Sequence, residues 1–402
     1  VAIVKRWQGM LVSSQNGKQV TLSRGNTLTS QANMDKADAF DQACRDRGIG
    51  KRLDIENFPD VPAATVYEHT RTIANELIES VLEHLPNAKP IHFDFIRDPQ
   101  INAYAFREGS DYYIGINAGA ILLLHLVVDH IFASRHTFPL VGDAKAERET
   151  LPPVPWSNVN AESLFLDGVQ PLGANSKERI LLGRAIVDQA VMFLVGHEIA
   201  HITRGHVDFL LDELNAAYVS EKDTTEDVDA KLVRQSIEVD ADYRSVQARC
   251  YSMHLTAKQN HKIVPIWSET PVSEQEYQYY ALFAINVIFR LFGDKQFNFD
   301  ELEQDSYPPL PLRRWLAMDH AANLMRSNWP PGSDSLISEA VMGSIKACEA
   351  SFNAIGAEPS EGGFTQAFTE EATEHMRKIG TTYKEIVPKL QVFAAESLGG
   401  AE

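Results

Sequence analysis

Ile186-Val187-Asp188-Gln189-Ala190-Val191-Met192-Phe193-Leu194-Val195-Gly196-His197-Glu198-Ile199-Ala200-His201 is the stretch on which the reading of this chain turns. Apolar residues at 186, 187, 190, 191, 193 and 194 recur at helical spacing and lead straight into His-Glu-X-X-His. Residues four apart share a helix face, so His197 and His201 can turn both imidazoles toward one cation while Glu198 projects beside them. Imidazole nitrogen is a preferred zinc donor. The competing reading is a pair of surface histidines flanking a solvated Glu. In so apolar a helix, two histidines without a metal would need separate hydrogen-bond partners.

A zinc site that keeps one position open takes three protein ligands. The spacing HExxHxxGxxH would need His at 207, where Val207 stands; Gly205 and His206 are each out of register by one. Further along lies Ile237-Glu238-Val239-Asp240-Ala241-Asp242, in a stretch of helical character. Glu238 and Asp242 are four apart and can face the histidines together. Glu238 is then the third ligand, and Asp242 the hydrogen-bond partner that fixes a ligand histidine's tautomer. Alone, such an acidic cluster reads as a solvated face; beside HExxH the metal reading prevails. Zinc brings the pKa of a bound water near ~7, and Glu198 is placed to accept its proton.

The 402 residues carry a net charge of −18, which argues against a nucleic-acid partner. Cys44, Cys250 and Cys348 form no CxxC pair, so a disulfide framework is not expected and a reducing, cytoplasmic setting is. Ala118 to Ala133 and Ile180 to Val195 are the most apolar stretches, each interrupted by charged or histidine residues. Neither offers about 20 uninterrupted apolar residues, so both read as buried helices and no membrane span is expected.

Asn16-Gly17 between Met10-Leu-Val-Ser-Ser and Lys18-Gln-Val-Thr-Leu predicts a hairpin. Helical spacing predicts a helix from Ala63 to Leu85, closed by Pro86 and Pro90. Strands are predicted at Ile91 to Ile96, Ile101 to Phe106 and Asp111 to Ile116, followed by a helix to about Ser134. From Phe138 to Ser176 the chain is Pro-rich and aperiodic, with Trp156 and Phe165 available to cover a cleft; it is expected to gate the site, the alternative being an ordinary surface excursion far from the metal. Everything from Lys177 onward reads as helices, broken at Pro265 to Pro271 and Ser306 to Pro311. The histidines at 125, 130, 136, 254 and 261, and the aromatics Tyr277, Tyr279, Tyr280 and Phe283, read as structural.

Taken together, these residues resemble the gluzincin peptidases of the HtpX and CAAX-prenyl protease type, and among them the soluble phage-exclusion Lit peptidases. The likeness rests on Ile101-Asn-Ala-Tyr-Ala-Phe106, Tyr113-Ile-Gly-Ile-Asn-Ala-Gly-Ala-Ile-Leu122, His197-Glu-Ile-Ala-His-Ile-Thr-Arg-Gly-His206 and Glu238-Val-Asp-Ala-Asp242, in that order. It implies that Asn102 and Ala103 lie along an extended substrate and that His206 supports the site. Tyr307-Pro308-Pro309 with Arg313 resembles a His-Pro segment ending in Arg; Tyr307 replaces that His, and its hydroxyl would serve as oxyanion donor.

The resulting expectation is an α+β, mainly helical fold, with the HExxH helix beside a small sheet whose edge strand binds extended peptide. An extension over 1–60, a peptidase domain over 61–330 and a helical segment over 331–402 are expected. The expected activity is that of a zinc metalloendopeptidase with one Zn2+ per chain, acting on a peptide or protein substrate. The alternative is a gated or catalytically silent relative used as a regulatory, defence or binding module.

Overall fold

The computed structural model describes residues 27–398, apart from 58–60, 86, 153–171, 215–218, 221–227, 261–262, 266, 270, 294–296 and 358–360. The hairpin expected at Asn16-Gly17, His261, and Trp156 and Phe165 lie outside the described residues. The fold is mainly helical with one small sheet among the described residues, an α+β arrangement as expected. Helices α1 (Thr27–Asp46) and α2 (Val61–Leu82) precede strands β1 (Ile91–Ile96), β2 (Ala103–Glu108) and β3 (Asp111–Asn117). Then come α3 (Ala118–Ala133), α4 (Lys177–Thr203), α5 (His206–Leu214), the two-residue β4 (Val219–Ser220) and α6 (Val228–Asn260). Among the described residues five helices follow: α7 (Glu274–Phe292), α8 (Leu310–Asn328), α9 (Asp334–Ala354), α10 (Glu361–Gln366) and α11 (Glu370–Phe393).

The sheet has the order β1-β3-β2-β4. β1 runs parallel to β3, from Ile91 opposite Tyr112 to Ile96 opposite Asn117, and β2 returns antiparallel, with Ala103 opposite Ile116. An open edge on β2 is not what the fold provides throughout. β4 pairs antiparallel with β2 at Tyr104 and Ala105, which corrects both the bare-edge expectation and the all-helical reading beyond Lys177. Unpaired edge amides and carbonyls seek partners, and the segment after α5 supplies them.

The strands read from alternation fall within two residues of their observed limits, and α2 ends three residues before Leu85. α4 is the central element: α2, α3, α6 and α7 pack on it, and it lies against β2 and β3. By length and composition it is the one described helix able to cross a membrane. Here it is apolar on nearly every side because neighbours cover nearly every side. The main core runs from Leu53 to Leu398 and includes Tyr277, Tyr280 and Phe283, as expected of those aromatics.

The Pro-rich connection is anchored at the far end of α4 from HExxH. Arg179, fully buried, donates to the carbonyls of Phe132, Ser134, Thr137 and Phe138 and so closes the end of α3. Glu147 accepts from the amides of Asn175 and Ser176 at the start of α4. At 1.5 Å per residue these anchors stand roughly 30 Å along the helix from His197. The described ends of the connection therefore do not reach the histidines.

Asp129 on α3 is held up to about 6 by burial, which Arg184 on α4 only partly offsets. Its folded value exceeds its ordinary one, so the stability it contributes is present below the unfolded value and is lost as pH rises through the folded one. Asp129→Asn should therefore raise the melting temperature at about pH 8 and leave it nearly unchanged near pH 3. Thermal unfolding across that range checks this, and an equal gain at both ends would show that the carboxylate is not the cause.

Candidate metal centre

Two helices build the centre. α4 brings His197, Glu198 and His201 in its last two turns, and α6 brings Glu238 and Asp242 on one face. They can approach because Gly196 stands at the crossing: a Cβ there would lie 2.8 Å from Ser245 Oγ. Ser245 in turn donates to the Phe193 carbonyl at 2.7 Å, tying α6 to α4 one turn before the histidines.

All five of these site residues are buried, none more than 2% exposed. His197, His201 and Glu238 each offer a donor atom within 4.8 Å of the others, an arrangement that could hold a metal ion. The two Nε2 atoms are 2.9 Å apart. Glu238 Oε2 lies 3.3 Å from His197 Nε2, and Oε1 lies 3.4 Å from His201 Nε2.

The surrounding contacts determine where the protons sit. Asp242 Oδ1 is 2.9 Å from His197 Nδ1, so the imidazole proton sits on Nδ1 facing that carboxylate and Nε2 keeps a lone pair. On the other histidine, Nδ1 faces His206 Nδ1 at 3.1 Å, while His206 Nε2 faces Asp240 Oδ2 at 3.1 Å. Asp240 accepts from His206, so His206 Nδ1 is an acceptor, His201 Nδ1 is the donor, and His201 Nε2 carries a lone pair. Two lone pairs and a carboxylate thus converge in a buried space, and Glu238 Oε2 has no hydrogen-bond partner there. Acceptors facing acceptors call for a cation. The donor set fits zinc, which favours imidazole and carboxylate.

The electrostatics agree. Burial, with the Arg313 guanidinium adding to it, pushes His201 well below its usual pKa despite Glu238. Burial likewise lowers His206. Burial opposes charge on His197 too, but Asp242 and Glu238 outweigh it and hold that imidazole well above its usual value. Glu238 is drawn down to about 2, burial notwithstanding, by His201, His197 and Arg313.

Arg313 on α8 grips Asp242 with two bonds, Nε to Oδ2 at 2.8 Å and Nη2 to Oδ1 at 3.0 Å, and stands 3.3 Å from Glu238 Oε2. Tyr307, half-buried, precedes α8 by three residues. Asn102 sits just before β2, with its Nδ2 donating to Tyr104 at 2.9 Å and its Oδ1 accepting from the Ala103 amide at 3.0 Å. Ala103 opens β2, immediately before the two positions that β4 covers. Arg107 on β2 and Tyr112 on β3 both bond Asp208 on α5, which ties the sheet to the element after HExxH.

Of the other histidines, His130 bonds the Leu126 carbonyl, His136 the Glu149 carbonyl and His254 bonds Glu274, whereas the Nε2 of His125 is buried without a hydrogen-bond partner. Sequence reasoning left Asp240 and Arg204 without roles. Glu238 and Asp242 were found by their four-residue spacing; Asp240 falls between them, and its partners come from the turn after α4.

Buried donors of this kind on a helix pair could hold a metal ion. Residues 68–219, under half of the chain, match the model of peptidase family M48, from within α2 to β4 and including HEIAH, and so resemble a zinc metallopeptidase family. The matched region stops before Glu238, Asp242 and Arg313, so those rest on geometry. No curated protein and no solved structure gives a match.

Gly196→Val should cost about 1–3 kcal/mol by forcing the helices apart at Ser245, as overpacking does. It should also weaken metal binding, because Glu238 sits on the displaced helix. Denaturant unfolding beside a metal titration measures both, and unchanged affinity would show the crossing to be slack.

Proposed function

We propose that the chain is a zinc-dependent endopeptidase of the gluzincin type, with one zinc per chain held by His197, His201 and Glu238. The observation that carries this reading is the convergence of two imidazole lone pairs with the Glu238 carboxylate, with Glu198 next to His197 on the same helix. Zinc there supplies Lewis acidity toward a water molecule and the scissile carbonyl. Glu198, which the ligand set leaves free of a coordinating role, takes the proton from the attacking water and passes it to the departing amine. Asp242, held by Arg313, keeps His197 in the tautomer that offers Nε2. The Tyr307 hydroxyl donates to the oxyanion that forms on the carbonyl. Asn102 and Ala103, at the start of β2, hold the substrate backbone in an extended form.

Two predictions test the roles separately. Purified protein should carry one equivalent of zinc by elemental analysis, and His197→Ala or Glu238→Ala should lose it. Retention of full zinc by both variants would put the metal elsewhere. Glu198→Gln should keep the zinc and the melting temperature while turnover of an unstructured peptide falls by at least about 10²-fold, the usual share of a general base. Turnover at the wild-type rate would remove Glu198 from the chemistry.

A further inference from the structure

The last described part of the chain is docked on the turn that follows HExxH. Gly205 in that turn has φ +79°, and a Cβ there would meet Phe393 Cβ at 2.7 Å and the Ala394 nitrogen at 2.8 Å. Just beyond α11, the Ala395 amide donates to the Thr203 carbonyl at 2.8 Å and satisfies an end of α4 that has no helical partner. Arg204 donates to the Tyr383 hydroxyl at 2.7 Å and to Glu396 Oε1 at 3.3 Å. Glu396 Oε2 is held in turn by Arg244 on α6 at 2.8 Å. Arg204 also forks onto Asp240, with Nη2 to Oδ1 at 2.9 Å and Nε to Oδ2. Asp240 bonds His206, and His206 bonds His201.

These contacts form one continuous chain from the tail to a candidate ligand. We propose that Arg204, Asp240 and His206 are positioning residues for the metal, and that the C-terminal helix α11 with its tail, through Tyr383 and Glu396, is a working part of the metal site. The proposal rests on the metal reading above and deepens it. His197 is oriented by a carboxylate directly, through Asp242. His201 receives the same service at one remove, because a second imidazole stands between it and Asp240. That inserted imidazole has two tautomers, and only the one with its proton on Nε2 lets His201 present a lone pair. Asp240 selects it as long as the carboxylate stays aimed at Nε2, and Arg204 holds that aim. Arg204 itself is clamped from the other side by Tyr383 and Glu396.

The test is zinc affinity of the full chain, measured by competition with a chromophoric chelator at fixed pH, together with the visible spectrum of the cobalt-substituted protein, which reports ligand geometry. Asp240→Asn should weaken zinc by about 10–100-fold, the usual cost of losing a hydrogen-bond partner behind a ligand, and should shift the cobalt bands. His206→Gln, whose amide oxygen can accept the His201 proton, should retain more affinity than His206→Leu. Glu396→Gln, far from the ligands, should give a smaller loss of the same sign. If Asp240→Asn does not fold, the His206 pair and Glu396→Gln carry the test. Wild-type affinity and spectrum in these variants, whatever their melting temperatures, would overturn the proposal. A wild-type protein that binds no zinc overturns it together with the metal reading, whereas normal wild-type binding with indifferent variants overturns the relay alone.

Discussion

The close crossing of α4 and α6 at Gly196 and Ser245 is the constraint on which the centre depends. It brings Glu238 and Asp242 within reach of His197 and His201. A side chain at 196 would press first on Ser245 Oγ, the atom that ties α6 to the Phe193 carbonyl. The core around the crossing is apolar, with Ile186, Ala190, Val195 and Ile237 fully buried, so the polar centre is surrounded by groups that cannot solvate it. In such surroundings every charge must be answered by another. Arg313 answers Asp242, Arg204 answers Asp240, and the convergence point itself is left with more acceptors than donors.

That imbalance is what makes the cluster read as a binding site and not as a structural salt bridge. A structural bridge ends with its lone pairs matched by protons. Here the protons are drawn outward, to Asp242 on one side and along His206 to Asp240 on the other. The outward pull leaves the inner faces of both imidazoles free to coordinate. It also accounts for the opposite directions taken by the two histidines. His197 is embraced by two carboxylates, while His201 shares its one carboxylate with His197 and is pushed down chiefly by burial.

Much of this was legible in the sequence because it is written in short periods. HEIAH, the Glu238–Asp242 pair and the three main strands each rest on a spacing of two or four residues, and helix and strand geometry convert such spacings into shared faces. What spacing cannot carry is which distant elements meet. Asp240 acts through residues on the far side of a turn, and Tyr383 and Glu396 reach Arg204 from a helix nearly 200 residues later. The pairing of β4 with β2 is likewise a long-range event settled by an unfilled edge, not by the composition of two residues. The described ends of the Pro-rich connection are a different case: they adjoin α4 in the chain, yet its length separates them from HExxH.

The docking of α11 on the turn at Gly205 also orders events in time. A ribosome delivers His197, His201 and Glu238 well before it delivers Glu396, which follows Glu238 by roughly 160 residues. At about 5–20 residues per second, that gap lasts on the order of 8–30 seconds. During the gap the donors exist, but the contacts of Arg204 with Tyr383 and Glu396 do not. The braced centre is therefore a late product of synthesis, and a chain cut short before α11 carries every ligand yet lacks the clamp on Arg204.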